Sequence, residues 1–337
     1  MRALALLWIV SSTASADDSA DLDQLVSEMT AHAPRAAAMD LYARAFAGYA
    51  LHDRALSSPS EKARAIAELD RLIAQLLDPR SSAPFHAGAV EVAGRRLSSS
   101  AALRGHLALL LVGRALLAPL DGDRRALLDS LARSLSRDIV VAPTHLLPTY
   151  GRRIWPADNE VIAAALSLYL DRLRGDRSVE SGRAALARSL AALDEKGLPP
   201  SEISPDRLTA RDVPRGCALS WTIAMRALHD RESAKRLWSR YRADYFVDYG
   251  AIVGFREWPR GVSRPADADS GPILFGIGVA ASAFALGDAR LLASPVDETR
   301  LRVAATMAGL PALERLRGRP SWPLRAIALW SRSARPW

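Results

Sequence analysis

The sequence predicts an all-α fold, a single α/α toroid of about twelve helices that resembles an (α/α)6 barrel and carries one or two short β-hairpins in its loops. Three observations support this prediction: apolar residues recur at helical spacing along nearly the whole chain, strand signals are few, and no Pro/Gly/Ser-rich linker divides the 337 residues. The alternative is an α-solenoid of stacked helix pairs. Two long loops, 140–157 and 247–271, favour the toroid, because long loops in a compact domain are usually functional and would line a pocket at its open end.

The first strongly periodic segments set the pattern for the rest. Residues 35–53 form one apolar stripe at i, i+3, i+7 and i+10, which consists of Met39, Tyr42, Phe46 and Tyr49. Residues 61–77 repeat that spacing with Ile66, Leu69, Ile73 and Leu76. Similar patterns predict further helices over about 19–31, 100–118, 123–139, 158–174, 179–194, 216–229, 232–246, 272–286, 288–309 and 322–333.

Local signals agree with these helices. Gly175 and Gly197 follow two of them, as glycine commonly follows a helix C-terminus. Strand signals are confined to two short alternating pieces, Val90–Val92 and Ala251–Val253, which predict small hairpins.

The N-terminus has the pattern of a secretory signal peptide, residues 1–16. A positive start at Arg2 precedes a short apolar run, and the small residues Ala14-Ser15-Ala16 form a cleavage site after Ala16. We therefore expect a mature domain over 17–337 that is periplasmic or secreted and makes no stable membrane insertion after cleavage. An uncleaved membrane anchor is the alternative.

The composition limits the partners and cofactors. The formal net charge is +8, and the basic residues are nearly all Arg, alternating with acids as on a solvated helix face. No basic stripe with aromatic residues predicts a nucleic-acid partner. The single cysteine excludes an intrachain disulfide and a thiolate zinc site, the histidines lack metal-ligand spacing, and no phosphate-binding or dinucleotide motif is present. We expect no cofactor and no metal.

The first candidate site motif is Trp155-Pro156-Ala157-Asp158-Asn159, where a loop enters an apolar helix. Asp158 can cap that helix through its backbone N–H groups, or it can face a pocket. In the second case Trp155 would form an aromatic wall and Asn159 a polar contact.

The second motif covers 254–272 and leads into the apolar segment from Ile273 to Leu286. Its polar and aromatic candidates are Arg256, Glu257, Trp258, Asp267 and Asp269. Acids at the mouth of an apolar helix are partly desolvated, and their pKa values can separate into an acid and a base. A surface cluster of salt bridges is the alternative.

Two further side chains are chemically notable. His106 lies alone in a strongly apolar helix, where it is either a core histidine or a general acid/base. Cys217 begins a helix after Arg215, and both features are expected to lower its pKa, although simple burial is the alternative role.

The order of these motifs resembles the linalool dehydratase/isomerase family over roughly residues 100–295. The matching segments are Gly105-His106-Leu107, Asp158-Asn159, Ser220-Trp221, Arg256-Glu257 and Asp267-Ala268-Asp269. The resemblance implies an exported α/α-barrel protein. It also implies that His106 matches a catalytic histidine that handles the substrate hydroxyl, and that Asp158, Asn159, Glu257 and Asp269 line the pocket.

The chain departs from this family at two cysteine positions, where Trp155 and Ala164 stand instead. Cys217 replaces neither of them. The family's N-terminal catalytic aspartate has Asp40 as its nearest candidate here.

The sequence therefore predicts a cofactor-free lyase or isomerase that acts on a small alcohol. Its catalytic candidates are His106, Asp158, Glu257 and Asp269, which we expect to meet at one hollow; its substrate-binding candidates are Tyr150, Trp155, Asn159, Arg256, Trp258 and Asp267. The expected partner is a small-molecule substrate, and a homo-oligomer is left open.

Two other functions fit the same residues. In a carbohydrate-active enzyme, Asp158 would act with Asp269 or Glu257 across a glycosidic bond, beside aromatic walls from Tyr150, Trp155 and Trp258. In a non-catalytic envelope protein, the same cavity or the outer surface would only bind.

Overall fold

The computed structural model of the protein describes residues 18–35, 37–250, 252–308 and 321–337. The predicted signal peptide, residues 1–16, lies outside these ranges. The described chain is mostly helical and its strands form only short hairpins, so the predicted all-α class is confirmed. None of its helices combines the length and apolarity needed to cross a bilayer.

The helices follow the apolar periodicity closely. In chain order they are α1 (18–30), α2 (Ala38–Ser57), α3 (Lys62–Leu76), α4 (Ala101–Leu117), α5 (Gly122–Val141), α6 (Pro156–Asp171), α7 (Glu180–Asp194), α8 (Gly216–Ala227), α9 (Arg231–Tyr245), α10 (Val279–Leu291), α11 (Pro295–Ala308) and α12 (Trp322–Ser333). Short 3₁₀ turns lie at Pro59–Glu61, Pro79–Ser81, Ala83–Phe85 and Arg177–Val179.

Three antiparallel hairpins interrupt the helices in the described chain, one more than the upper expectation. Their strands are β1 (Ala89–Val92), β2 (Arg95–Ser98), β3 (Phe246–Asp248), β4 (Val253–Phe255), β5 (Ile273–Leu274) and β6 (Ile277–Gly278). The third hairpin corrects the predicted helix over 272–286. Ile273 pairs with Gly278 and Leu274 with Ile277, so α10 begins only at Val279.

Six helices contact one another in a cyclic order, and we call them the central helices: α2, α4, α6, α8, α10 and α12. Each packs against the next in this series, and α12 packs against α2. Of the remaining helices, α3 packs on α2 and α4, α9 packs on α8, and α11 packs on α10.

Sequence composition explains which helices are central. Every residue of α6 from Pro156 to Leu170 is buried, since this helix is apolar around nearly its whole circumference. In contrast, α9 buries only one stripe and exposes its charged face, as expected of an amphipathic outer helix. Gly105 permits the close approach of α4 to α6, because a Cβ at this position would lie 3.0 Å from Ile162 Cγ1.

Buried ion pairs also connect the helices. Arg226 on α8 donates from Nε to Glu160 Oε1 on α6 at 3.1 Å and also binds Asp194 on α7. Because an unpaired buried charge costs several kcal/mol, this network favours one relative position of the three helices.

Candidate active site

A cavity of about 780 Å³ lies at the N-terminal ends of five central helices. The side chains that reach it from those helices all belong to first or second turns: Met39, Asp40 and Tyr42 of α2, Ala157 and Asp158 of α6, Cys217, Ala218 and Trp221 of α8, Phe284 of α10, and Trp322, Pro323, Leu324 and Ile327 of α12. Preceding loops add Arg35, Ala37, Arg153, Trp155, Ser201, Glu202, Asp212, Arg215, Ala268, Asp269 and Ser321. More than half of the lining residues are thus apolar or aromatic, and eight carry acidic or basic side chains: Arg35, Asp40, Arg153, Asp158, Glu202, Asp212, Arg215 and Asp269.

Asp158 is the most distinctive of these charged groups. It lies in the first turn of α6, but Trp155 occupies the N-cap position and no side chain caps the helix. The Asp158 carboxylate instead accepts a hydrogen bond from the Thr149 hydroxyl, with 2.6 Å between Oγ1 and Oδ2. The capping role considered from the sequence is therefore not the one that Asp158 has.

Burial controls the ionisation of Asp158. Its side chain is almost fully buried, and desolvation raises its pKa to about 7. The hydroxyls of Thr149 and Tyr42 partly oppose this rise, whereas the charge of Asp269 adds to it. Asp158 can consequently exist in both protonation states near neutral pH.

The other acids that line the cavity are paired with arginines. Glu202 accepts from Arg153, with 3.0 Å to its Nε, and Asp212 accepts from Arg264 at 2.8 Å. Asp40 accepts from Arg44 Nε at 3.0 Å. Among the residues that the structure describes, no Arg, Lys or His forms an ion pair with Asp158, which sets it apart from these paired carboxylates.

Asp269 belongs to a tight turn before β5. Asp267 Oδ1 accepts hydrogen bonds from the backbone N–H groups of Asp269 and Ser270, which holds the turn. The Asp269 side chain is about 30% exposed and lies 3.8 Å from Arg215. Burial raises its pKa, and the charge of Arg215 opposes this rise. The turn precedes a hairpin and not a helix, because α10 starts ten residues later than Asp269.

Glu257 is fully buried and does not line the cavity. It accepts from Arg215 Nε at 2.9 Å and from the Cys217 thiol at 3.1 Å. Burial raises the pKa of Glu257, and the Arg215 charge counteracts it.

Cys217 presents its buried side chain to the cavity wall. Its pKa lies well above the usual value, first because of burial and then because of the Glu257 charge. The expectation of a lowered pKa is therefore wrong. Arg215 does act in the expected direction, but desolvation and Glu257 outweigh it.

His106 is fully buried and lies behind the cavity wall. Its Nδ1 shares a 2.6 Å hydrogen bond with the Tyr49 hydroxyl. Tyr42 and Trp221, which both line the cavity, pack edge-on against its ring with centroids 5.5 and 5.4 Å away. Burial lowers its pKa to about 3, so the imidazole is neutral at ordinary pH.

Of the predicted binding residues on the loop before α6, Trp155 lines the cavity. Tyr150 supports that wall from behind, with its ring 5.0 Å from Trp155 and its hydroxyl 3.3 Å from the Tyr42 hydroxyl. Asn159 is turned away from the cavity: its amide bonds backbone groups of Leu147 and Trp155 and so fixes the loop.

The other predicted binding residues lie outside the cavity wall. Trp258 is buried between the guanidinium groups of Arg215 and Arg264, which lie 4.7 and 4.9 Å from its ring. Asp267 is exposed and accepts from Arg215 at 2.9 Å. Arg256 lies beside the turn of the third hairpin. The cavity thus unites Asp158, Asp269 and Trp155, but does not include His106, Glu257, Asn159 or Arg256.

Sequence reasoning missed several residues of this site. In the sequence, Tyr42 belongs to an apolar stripe, and Thr149 belongs to no motif of the long loop before Asp158. Trp322 also lines the cavity, and the Arg35 guanidinium carbon lies over its ring, 4.6 Å from the centroid. The one available signal was that Trp322 begins the predicted helix 322–333.

In the described part of the chain, no group of three or more His, Cys, Asp or Glu side chains is arranged to hold a metal ion. Comparison with protein-family models and with curated proteins gives no match to this chain. The function of this protein is therefore inferred below from the geometry of its cavity.

Proposed function

We propose that the chain forms an α/α toroid in which the six central helices are the inner ring. The cyclic contacts of those helices support this arrangement, as do the outer helices that alternate with them in sequence. A remote relationship to the linalool dehydratase/isomerase family remains part of the proposal, on the order of motifs given above.

We further propose that the protein is a cofactor-free lyase or isomerase that acts on a small, mostly apolar molecule with a hydroxyl group. The observation that carries this proposal is the position of Asp158: a carboxyl group in the cavity wall, hydrogen-bonded to a hydroxyl and without a cationic partner among the described residues. A cavity of about 780 Å³ is in the range of small-molecule sites.

The chemistry follows from the protonation of Asp158. A neutral Asp158 would donate its proton to the substrate hydroxyl, so that the C–O bond breaks and water leaves. A base would then remove a proton from the adjacent carbon, and the C–H electron pair would form the C=C bond. Asp269, on the same cavity, is the candidate base, and the reverse sequence adds water. Positioned acid/base groups contribute about 10²–10⁴-fold each.

Other groups would shape this reaction without taking part in the proton transfers. Tyr42 and Thr149 hold the Asp158 carboxyl, and Trp155, Trp221 and Trp322 provide the apolar surface that excludes water. His106 would affect the reaction only by positioning Tyr42 and Trp221, because these two side chains pack against its ring and line the cavity.

A carbohydrate-active enzyme is the second candidate. Trp155, Asp158 and Asp269 line one cavity, as a sugar-stacking wall and a carboxylate pair would. Trp258, the other predicted stacking wall, is packed between arginines, which makes this candidate the weaker of the two.

A substrate panel separates the candidates. The purified protein would be incubated with tertiary and allylic alcohols, whose alkene products are measured by gas chromatography, and with oligosaccharides, whose new reducing ends are measured. We expect turnover in the alcohol arm and its loss by at least about 10²-fold in Asp158→Asn.

The matched control is Asp288→Asn. Asp288 is also a fully buried acid that accepts from one hydroxyl, that of Ser220, but it does not line the cavity. The Asp288→Asn variant should therefore retain turnover. If both variants lose activity and melting temperature together, Asp158 has only a structural role, and turnover of oligosaccharides alone would favour the second candidate.

We also propose that the protein is exported with cleavage after Ala16, on the strength of the pattern in residues 1–16. Mass spectrometry of the protein from its native envelope tests this: a mature N-terminus at Asp17 is expected, and an intact Met1 would refute it.

A further inference from the structure

The tips of two neighbouring hairpins carry a cluster of exposed apolar side chains. We call Tyr249, Ile252, Leu274 and Phe275 the hairpin patch. These four side chains are 56%, 49%, 45% and 80% exposed, respectively. Such residues are normally buried, and a contiguous apolar group on a surface marks an interaction site.

The two tips are joined to each other. Tyr249 lies in the turn between β3 and β4, and its hydroxyl donates to the Phe275 carbonyl in the turn between β5 and β6, at 3.4 Å. A bridge between Arg256 and Ile277 ties the second hairpin to the end of β4. The patch is therefore one surface held by two hairpins.

Phe275 has an unusual backbone as well as an exposed ring. Its φ is 52°, in the left-handed region that a bulky residue rarely adopts. This conformation directs the largest apolar side chain of the patch into solvent, where it gains nothing from the folded protein itself.

A cationic group lies beside the patch. The Arg256 guanidinium is close to Gly276, since a Cβ there would lie 3.2 Å from Nη1. Arg256 has no carboxylate partner among the described residues, whereas Arg300 is paired with Asp248, the residue before Tyr249. The chain as a whole carries a formal net charge of +8.

We propose that the hairpin patch docks on the surface of an anionic phospholipid bilayer, with Phe275 and Leu274 in the headgroup–acyl boundary and Arg256 at the level of the phosphates. Aromatic and aliphatic side chains next to Arg are the combination that binds membrane interfaces. Four side chains at two turn tips are too few for the core of a stable protein interface, which buries about 800 Å² on each partner. The unpaired Arg256 and the net positive charge complement an anionic surface.

This inference is independent of the catalytic proposal. The hairpin patch is nevertheless connected to the cavity along the chain, because β6 leads directly into α10, whose Phe284 lines the cavity. Docking through the patch would bring this end of the protein close to the bilayer.

Co-sedimentation of the full-length purified protein with vesicles tests the proposal. One vesicle set contains phosphatidylcholine alone and the other adds phosphatidylglycerol. We expect binding that is stronger to the anionic vesicles and weakens with salt. Phe275→Asn should reduce partitioning about tenfold or more, and Asn is suitable because it tolerates a positive φ.

Two further variants sharpen the result. Val141→Asn is the matched control, since Val141 is 79% exposed at the end of α5 and does not belong to the patch; it should bind like the wild type. Arg256→Gln should reduce binding to anionic vesicles about fivefold and leave binding to phosphatidylcholine unchanged.

Equal binding of the wild type and Phe275→Asn would overturn the proposal, and so would no binding to either vesicle set. A concentration-dependent dimer in light scattering that Phe275→Asn abolishes, without vesicle binding, would instead assign the patch to a second copy of the chain. Circular dichroism and a melting temperature for each variant would verify that the fold is retained, which matters most for Arg256→Gln because Arg256 is half-buried.

Discussion

The Thr149 hydroxyl lies 2.6 Å from Asp158 Oδ2 and donates a hydrogen bond to it. The donor comes from the loop and the acceptor from the first turn of α6, so a single contact joins the two sequence segments that form this side of the cavity. Because the bond stabilises the charged carboxylate, Thr149 sets how far burial can raise the Asp158 pKa.

Removal of this donor should shift the pH dependence of activity. Thr149→Val keeps the shape of the side chain but loses the hydrogen bond, so the pKa of Asp158 should rise above about 7. If neutral Asp158 is the proton donor, the alkaline limb of the kcat/KM profile should move upward by about one pH unit. Thr144→Val is the control, because Thr144 is buried in the same loop and bonds only backbone groups of Leu146. A profile that does not move would contradict the role of Asp158 as the acid.

Stability should depend on pH through the same carboxyl group. Its folded pKa of about 7 lies above the ordinary value of 3.8, so the folded state binds the proton more tightly. The contribution of Asp158 to the free energy of unfolding is fully present below about pH 4 and is lost as the pH rises through about 7. A difference between pKa values near 4 and 7 corresponds to on the order of 4 kcal/mol.

Urea unfolding at pH 4 and at pH 8 measures this effect. Asp158→Asn cannot ionise, so its free energy of unfolding relative to the wild type should increase between the two pH values. The control is Asp206→Asn, because Asp206 forms a largely exposed ion pair with Arg152. Its free energy of unfolding relative to the wild type should be the same at pH 4 and at pH 8. A constant difference for Asp158→Asn as well would mean that the carboxyl does not titrate in this window.

The reactivity of Cys217 should respond to Glu257. We expect the thiol to react slowly at pH 8, because burial and the Glu257 charge raise its pKa. Glu257→Gln removes the charge, although the amide oxygen can still accept from the thiol, so the pKa should fall and the rate should rise by on the order of tenfold. Since Cys217 is the only cysteine, a disulfide reagent with a coloured product reports this site alone.

Asp267→Asn is the matched variant for that experiment. It also removes a partner of Arg215, but Asp267 does not touch the thiol. An equal acceleration in both variants would indicate that loosening of Arg215, not the Glu257 charge, controls the thiol.

Gly216 at the start of α8 should be intolerant of a side chain. A Cβ at this position would lie 1.9 Å from the Arg256 carbonyl oxygen, and the backbone N–H of Gly216 itself donates to the Glu257 carbonyl at 2.8 Å. Gly216→Ala should therefore reduce the free energy of unfolding by about 3 kcal/mol or more, because two backbone segments must separate. Gly122→Ala, at the start of α5 with open space around it, should be neutral within about 0.5 kcal/mol. Denaturant unfolding of the two variants makes the comparison, and a mild effect at Gly216 would show that the loop yields easily.

Most of the helices could be predicted because their apolar spacing is a property of local sequence. The third hairpin could not, since Ile273, Leu274 and Ile277 continue the apolar pattern of α10, and a short apolar run does not distinguish a strand from a helix. The strand pairing depends on the turn at Phe275 and Gly276, where both residues have positive φ.

The site was predictable only where a side chain's direction follows from its position in the chain. Asp158 and Asp269 were identified as acids at loop ends, and both line the cavity. The directions of Asn159 and Glu257 depend on what packs beside them, which no local pattern encodes. The Cys217 pKa was mispredicted for a related reason, because desolvation is a property of the whole fold.

The first residues of α6 point in different directions and have different partners. Ala157 and Asp158 face the cavity, Asn159 holds the loop, and Glu160 binds Arg226 of α8. Consecutive residues of an α-helix are rotated by about 100°. A one-residue insertion or deletion between Trp155 and Asp158 would therefore rotate the side chains that follow it by about 100°, carrying the carboxyl group out of the hollow and the amide away from the loop. The spacing from Trp155 to Glu160 is thus as strictly constrained as the residue types themselves, and length variation during divergence should be confined to the stretches on either side.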